Sequence, residues 1–317
     1  MEELLLYNSH NLKGRDFLSL QDFTPEEIMD FVRWGQYLKY RLKHGLAHKM
    51  LVDKSIGMIF QKSSTRTRLA FEVGMYQLGG QALFLSPRDI QIGRGETLKD
   101  TARVLSRMLD GILIRTFAHD DVRELAECAD IPVINGLTDL LHPTQIIADF
   151  MTILENKGRL AGIKCVFIGD GNNVAHSLLL GGSKIGMDIT VVTPSGYEPD
   201  QQIVAVARAN ALSSGARIQV EHDMEAVVEG ADVLYTDVWA SMGEEAQAQE
   251  KEKAFSDYQI NQKLLQKAKP GAIVMHCLPA KRGKEITDEV IEGPQSVVFD
   301  EAENRLHAHR AIMALLL

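Results

Sequence analysis

The chain has 317 residues, of which 45% are hydrophobic and 24% are charged, and this profile excludes a disordered or fibrous protein. A formal net charge of −9 without any long basic run makes nucleic acid and anionic membranes poor partners. Because no basic flank precedes an apolar stretch and no run of about eighteen apolar residues occurs, we expect a cytoplasmic protein with neither a signal peptide nor a membrane span.

The first half of the chain alternates short β-rich runs with helical periods. A helix is predicted to begin after Thr24, where a capping hydroxyl is followed by Pro25 and two acids. The strands predicted in this half are 55–60, 81–85, 111–115 and 132–135. The segments between them are long enough for crossover helices, such as 67–78, so we expect a parallel sheet with right-handed connections.

A second series of strands is predicted at 164–168, 188–193, 231–236, 272–276 and 297–300. Because 317 residues exceed what one hydrophobic core usually fills, two domains are expected. The sequence therefore predicts an α/β protein with two doubly wound parallel-sheet domains joined by interdomain helices. We place the first domain at 1–147, with a C-terminal helix over 303–317 packing back on it, and the second at 148–302. A helix over 142–156 is expected to bridge them.

A run of hydroxyl and guanidinium side chains lies between the strand ending near Phe60 and the next helix, with the sequence SSTRTR at 63–68. Amide groups at a helix N-terminus, the positive end of its dipole, hydroxyls and a guanidinium can all converge on one phosphate. The alternative interpretation is a plain helix cap with exposed arginines. No G-x-x-x-x-G-K-[ST] is present, so a nucleoside-triphosphate loop does not explain the run.

The run HPTQ at 142–145 also follows a strand and opens a helix, with Pro143 suited to the first turn. A neutral imidazole at His142 can donate to a carbonyl oxygen, although a lone histidine is more often a structural group. Arg115, at the end of the preceding strand, can add a positive charge to the same crevice.

Together, Ser-x-Arg-Thr-Arg and His-Pro-Thr-Gln resemble the carbamoyl-phosphate domain shared by the aspartate and ornithine carbamoyltransferases. The resemblance implies that the phosphate is held by Ser64, Thr65, Arg66 and Thr67. It implies that phosphate or carbonyl oxygens are held by Arg115, His142 and Gln145. Gln91 resembles the family residue that reaches the phosphate from a neighbouring subunit, and Arg305 resembles a C-terminal arginine that returns to carbamoyl phosphate. Ser63 departs from relatives that carry an acid there, but the ligand positions follow it.

The second half of the chain indicates which amine is the substrate. The run DVWASMG at 237–243 is similar to the Asp-x-x-x-Ser-Met-Gly loop of the ornithine branch. An aspartate enzyme would need extra cations for its substrate, whereas Asp237 supplies an anion for an amino group. The resemblance implies that ornithine is bound by Asn173, Asp237, Ser241 and Met242. From the residues alone, a capped loop after a strand is the alternative.

The run HCLP at 276–279 matches the family's His-Cys-Leu-Pro, which places Cys277 beside the reacting amine and the Leu278 backbone beside the carbamoyl group. The resemblance thus implies that both residues help to bind carbamoyl phosphate, and it implies catalytic roles for Arg66, Arg115, His142 and Cys277. Without it, a free cysteine after an apolar strand is more often inert packing. The three cysteines are widely separated and lack a C-x-x-C pair, which argues against a disulfide framework and a sulfur-rich metal site.

The activity implied by the resemblance is transfer of the carbamoyl group of carbamoyl phosphate to the side-chain amine of L-ornithine, giving L-citrulline and phosphate. No metal or organic cofactor is expected, because carbamoyl phosphate is already activated. The implied assembly is a homotrimer or a multiple of trimers. Three alternatives remain open: a nicotinamide-dependent oxidoreductase, although Val174 stands where its third glycine would fall; a catalytically silent binding protein; and a putrescine carbamoyltransferase. The physiological direction also stays open.

Overall fold

The β-strands of the described residues form two parallel sheets, one of four strands and one of five. The computed structural model describes residues 12–46, 48–86, 88, 90–92, 95–240 and 247–317. Unit 1 comprises Met1–Met151 and Glu303–Leu317, and unit 2 comprises Thr152–Ala302. The α/β fold with two parallel sheets, predicted from the sequence, is confirmed.

The sheet of unit 1 has the strand order β2-β1-β3-β4. Its strands are Ser55–Phe60 (β1), Gln81–Leu85 (β2), Gly111–Arg115 (β3) and Val133–Leu137 (β4). β3 and β4 are buried throughout and β1 nearly so, which is why their sequences are mostly continuous apolar runs rather than alternating ones. β2, at the edge, remains partly exposed. In the strand register, Ile56 of β1 pairs with Ala82 of β2 on one side and with Gly111 of β3 on the other.

The sheet of unit 2 has the order β7-β6-β5-β8-β9. Its strands are Lys164–Ile168 (β5), Asp188–Val192 (β6), Ile218–Glu221 (β7), Val233–Thr236 (β8) and Ile273–His276 (β9). The central strands are again apolar and buried, and they pack with the flanking helices into one hydrophobic core.

The α-helices of the described chain connect these strands. In chain order they are Pro25–Lys43 (α1), Thr65–Leu78 (α2), Leu98–Leu105 (α3), His119–Cys128 (α4), Pro143–Lys157 (α5), Asn173–Lys184 (α6), Gln201–Ser214 (α7), Met224–Val228 (α8), Ala248–Ala254 (α9), Gln262–Leu265 (α10), Asp288–Ile291 (α11) and Val298–Leu316 (α12). The start predicted for α1 is confirmed by a capping box, in which Thr24 Oγ1 accepts the Glu27 N–H at 3.2 Å and the Glu27 carboxylate accepts the Thr24 N–H at 2.9 Å. None of the helices described combines the length and apolar character that crossing a membrane requires.

One predicted strand is wrong. Residues 297–300 make only a short contact with the sheet, in which Val297 N–H donates to Val274 O at 3.0 Å, and α12 begins at Val298. Asp300 and Glu301 lie in the first turn of α12, where acidic side chains favour a helix. The fifth strand is instead β7, at the edge of the sheet. It was not predicted because its polar residues Gln219 and Glu221 leave no continuous apolar run.

In each sheet the strand order reverses at one point, and residues at the carboxyl ends of the strands lie beside that point. In unit 1 the strand order reverses between β1 and β3, and the Gln61 N–H donates to Arg115 O at 2.8 Å just past that point. In unit 2 it reverses between β5 and β8, where Thr236 Oγ1 donates to Ile168 O at 2.7 Å. Such reversal points are where open α/β sheets form their binding crevices.

Candidate active site

The segment that follows β1 opens α2 with a serine cap. Ser64 has an extended backbone, and its Oγ accepts the Thr67 N–H at 3.2 Å. The predicted placement between strand and helix is confirmed, and the capping role considered for this run is real. The amides of Thr65 and Arg66 lie in the first turn, where a helix offers no acceptor and its dipole is positive. The turn therefore suits an anion.

A long-range contact joins the C-terminal helix to this turn. Arg305 Nη2 donates to Thr67 Oγ1 at 2.6 Å, and both side chains are buried. Thr67 Oγ1 also accepts a hydrogen bond from Ser64 Oγ at 3.1 Å. Arg305, which was predicted separately from the run at 63–68, is thus brought to that run within unit 1.

His142, immediately before α5, lies among positively charged groups. Burial, followed by nearby positive charge, lowers the pKa of the His142 imidazole well below its usual 6.5. The neighbours that contribute, in decreasing order, are Arg305, Arg115, His309 and Arg66. The ring is therefore neutral at pH 7, a form in which one nitrogen donates and the other accepts. Guanidinium groups around a neutral imidazole make this part of unit 1 suited to an anionic, carbonyl-containing ligand.

Gln145 lies on the first turn of α5 and is fully buried. Its Nε2 donates to Asp149 Oδ1 at 2.8 Å, and Asp149 is fully buried as well. The sequence analysis missed Asp149, although its spacing of four residues from Gln145 is that of two neighbours on one helical face.

Gln91 and Lys62 lie outside this group. Gln91 is exposed on the segment between β2 and α3 and forms no hydrogen bond within the described residues. Lys62 was not predicted, yet its ammonium pairs with Asp139 and lies 4.4 Å from the centre of the Phe117 ring. It holds the chain just before the serine cap.

In unit 2, Asp237 follows β8 directly and is held from three sides. Its Oδ2 accepts from Asn172 Nδ2 at 2.9 Å, and its Oδ1 accepts the Val238 N–H at 2.8 Å and the Cys277 thiol at 3.0 Å. The carboxylate is 7% exposed. The Cys277 thiol is a hydrogen-bond donor in this contact, which suits it to position the Asp237 carboxylate.

Asn172 is a residue that the sequence analysis missed. It caps α6, where its Oδ1 accepts the N–H groups of Val174 and Ala175 at 3.0 and 3.2 Å, and this leaves its Nδ2 directed at Asp237. The predicted Asn173 is the first residue of α6 and is 8% exposed. The predicted Ser241 and Met242 lie outside the described residues.

The backbone after β9 is fixed by a chain of buried polar groups. The Leu278 N–H donates to His276 Nδ1 at 2.9 Å, and His276 Nε2 lies 3.0 Å from Glu285 Oε1. Because Nδ1 is the acceptor, Nε2 carries the proton and donates to Glu285. Leu278 has φ of 56°, a left-handed conformation that costs about 1–2 kcal/mol in a non-glycine residue. The hydrogen bonds of His276 stabilise this turn.

Among the residues that the structure describes, Asp237, His276 and Cys277 form a group that could hold a metal ion, since their ligand atoms all lie within 4.8 Å of one another. Both nitrogens of His276 are already engaged, by the Leu278 amide and by Glu285. A metal would have to displace one of these hydrogen bonds, so the three side chains fit a hydrogen-bonded network better than a metal centre.

Comparisons with known proteins match two segments of the chain to two domains of one family. Residues 15–155 match the family described as "Aspartate/ornithine carbamoyltransferase, carbamoyl-P binding domain", and residues 161–316 match its "Asp/Orn binding domain". An ornithine carbamoyltransferase of Oceanobacillus iheyensis is 57% identical over 311 residues, which cover 98% of this chain and 97% of the relative. The chain belongs to the ornithine carbamoyltransferase family.

Solved structures of the family share the fold. The ornithine carbamoyltransferase of Pyrococcus furiosus superimposes with a TM-score of 0.94 at 53% identity, covering 97% of this chain and 98% of that one. That of Campylobacter jejuni gives a TM-score of 0.90 at 42% identity, covering 94% and 97%. The family resemblance stated from the motifs is therefore confirmed, and the oxidoreductase alternative is wrong.

Proposed function

We propose that the chain transfers the carbamoyl group of carbamoyl phosphate to the side-chain amine of L-ornithine, giving L-citrulline and phosphate, through the residues described above. The observation that carries the assignment is the neutral, buried His142 with guanidinium groups around it. A region of this kind binds a phosphate through charge and a carbonyl oxygen through the imidazole N–H.

We assign the phosphate to the start of α2. Ser64, Thr65, Arg66 and Thr67 supply hydroxyl, amide and guanidinium donors, and Arg305 joins them through Thr67. Arg115 contributes a second guanidinium from the end of β3. Charge-assisted contacts of this kind are about twice as strong as neutral hydrogen bonds, so they dominate the affinity for the anion.

His142 and Gln145 act on the carbamoyl group in this proposal. The neutral amine nitrogen forms a bond to the carbamoyl carbon, the bond from that carbon to the phosphate oxygen breaks, and one amine proton passes to the departing phosphate. Negative charge develops on the carbonyl oxygen during attack, and the His142 N–H together with Arg66 and Arg115 stabilises it. A neutral imidazole suits this role because it remains a donor without adding a titrating charge near pH 7.

We assign ornithine to unit 2, with Asp237 binding the α-ammonium group. Asn172 and Cys277 hold the Asp237 carboxylate in place. Asn173, Ser241 and Met242 are proposed to complete recognition of the amino acid, and the Leu278 backbone to lie beside the carbamoyl group. The attacking amine must lose a proton from a group whose usual pKa is about 10.4, and a second positive charge next to the bound α-ammonium is disfavoured.

A transfer assay tests this function. Purified protein is given radiolabelled carbamoyl phosphate together with ornithine, putrescine, aspartate or acetylornithine, and the carbamoylated products are quantified. The proposal predicts labelled citrulline at a kcat/KM well above that for the other three amines. Preference for putrescine would contradict the role given to Asp237.

We also propose that the chain assembles as a homotrimer or a multiple of it, in which Gln91 of one copy completes the phosphate site of another. Apolar side chains at helical spacing on α2, Leu69, Val73 and Tyr76, are exposed by 53%, 38% and 74%. They lie beside the exposed edge strand β2, and an apolar face of this kind is typical of an interface. Light scattering should give a multiple of three times the 35.2 kDa chain mass. A cytoplasmic location stays a prediction.

A further inference from the structure

Helix α5 carries a buried acid that the proposed mechanism leaves without a role. Asp149 lies one turn beyond Gln145, and the Gln145 amide nitrogen donates to Asp149 Oδ1 at 2.8 Å. Both side chains have no exposed surface. The pair therefore belongs to the interior of unit 1, on the helix that His142 precedes.

The chemistry of this pair fixes which way the glutamine amide points. An ionised carboxylate offers only acceptors, whereas the amide of Gln145 has a donor NH₂ group and an acceptor oxygen. The NH₂ group is the one that can bond to Asp149, so Oε1 is directed away from it. An amide without such a neighbour can present either group, because oxygen and nitrogen are nearly equal in size.

We propose that Asp149 is a positioning residue that makes the site select a carbamoyl group over an acetyl group, by holding Gln145 Oε1 as an acceptor. The inference rests on the proposed function, in which Gln145 meets the carbamoyl group. The carbamoyl NH₂ is a donor that needs an acceptor, whereas acetyl phosphate has a methyl group of similar size at the same place.

The arrangement also keeps negative charge away from the phosphate. A carboxylate at position 145 would accept from the carbamoyl NH₂ but would repel the phosphate dianion. A neutral amide also accepts from this NH₂ group, and Asp149 lies one helical turn further along α5. The pair therefore supplies an oriented acceptor without placing its charge at the site.

The decisive variant is Asp149→Asn, which is isosteric but offers either an oxygen or an NH₂ group to Gln145. Affinities for carbamoyl phosphate, acetyl phosphate and inorganic phosphate are measured by calorimetry. The preference for carbamoyl over acetyl phosphate should fall about tenfold, the effect of losing one oriented hydrogen bond, while the affinity for inorganic phosphate stays the same. A purely structural role predicts no change in this preference. Should the asparagine variant fail to fold, Asp149→Ser, whose hydroxyl also donates and accepts, carries the same expectation.

A double-mutant cycle separates an effect through Gln145 from a general one. In a Gln145→Met background, Asp149→Asn should not change the preference further. Ile146→Val, a buried change on the same helix outside the pair, costs about 0.5–1.5 kcal/mol of stability and should leave the preference intact. An unchanged preference in Asp149→Asn, or an equal loss in the Gln145→Met background, would overturn the inference. If the wild-type protein bound neither carbamoyl phosphate nor inorganic phosphate, the proposed phosphate site itself would be wrong.

Discussion

Arg66→Ala is the perturbation that tests the phosphate site most sharply, because the same hexapeptide supplies a matched control. Arg66 is half-buried in the first turn of α2 and contributes to the positive charge that acts on His142. Arg68, two residues later, is exposed, pairs with Glu72 at 2.8 Å and lies 3.7 Å from the centre of the Phe84 ring. Arg66 thus belongs to the positive groups around His142, whereas Arg68 pairs on the surface.

The expected magnitudes differ accordingly. Loss of a bidentate charged contact to the phosphate costs on the order of 2–4 kcal/mol, so kcat/KM for carbamoyl phosphate should fall about 30- to 1000-fold in Arg66→Ala. An exposed pair four residues apart on a helix contributes about 0.3–0.5 kcal/mol to stability, too little to unfold the protein. Arg68→Ala should therefore keep kcat/KM within about threefold of wild type. His142 should stay neutral in both variants, since burial is the first cause of its lowered pKa.

The assay is citrulline formation at saturating ornithine with carbamoyl phosphate varied, together with inhibition by inorganic phosphate. Circular dichroism and light scattering establish that fold and assembly are unchanged in both variants. Near-normal kcat/KM in Arg66→Ala would refute the phosphate assignment. An equal loss in Arg68→Ala would also refute it, because the effect would then not depend on which arginine faces the ligand.

Three further predictions concern Gln91, His307 and Cys277. Mixed oligomers of an inactive Gln91 variant and an inactive Arg66 variant should regain some citrulline formation through hybrid sites, and no recovery after proven subunit exchange would contradict a shared site. Burial lowers the pKa of the His307 imidazole from 6.5 to about 4, so as the pH falls the unfolded chain binds a proton at this position before the folded chain does. The free energy of unfolding should therefore fall by about 3 kcal/mol as the pH is lowered from 6.5 to 4. Denaturant titrations of His307→Gln should lack this part of the pH dependence. Cys277→Ser keeps a donor to the Asp237 carboxylate and should retain ornithine KM within about threefold, whereas Cys277→Ala should raise it about tenfold; equal effects would exclude the hydrogen bond as the reason.

The fold was predictable where burial imposes a simple pattern. Buried parallel strands such as β1 and β5 read as apolar runs, and helix caps such as Thr24 carry a local signature. The edge strand β7 escaped because half of its residues are polar, and 297–300 was misassigned because an apolar run does not distinguish a strand from a buried helix start.

The placement of candidate site residues that follow strands was predictable, since Ser64 and Asp237 both come after a strand as expected. The supporting residues were not, because their roles depend on contacts between segments far apart in sequence. Asn172 donates a hydrogen bond to Asp237, which lies 65 residues further along the chain. No local sequence pattern distinguishes Asn172 from the neighbouring Asn173. Asp149 is the exception, because the four-residue spacing from Gln145 was visible in the sequence.

We propose that substrate binding is divided between the units, so that unit 1 binds carbamoyl phosphate and Asp237 of unit 2 binds ornithine. Calorimetric titration of carbamoyl phosphate into folded Asp237→Asn protein, followed by ornithine kinetics on the same sample, tests it most directly. We predict that carbamoyl phosphate binds within about twofold of wild type while ornithine KM rises at least about tenfold, the effect of weakening a charged hydrogen bond. Loss of carbamoyl-phosphate binding in the folded variant, or unaltered ornithine kinetics, would contradict the claim.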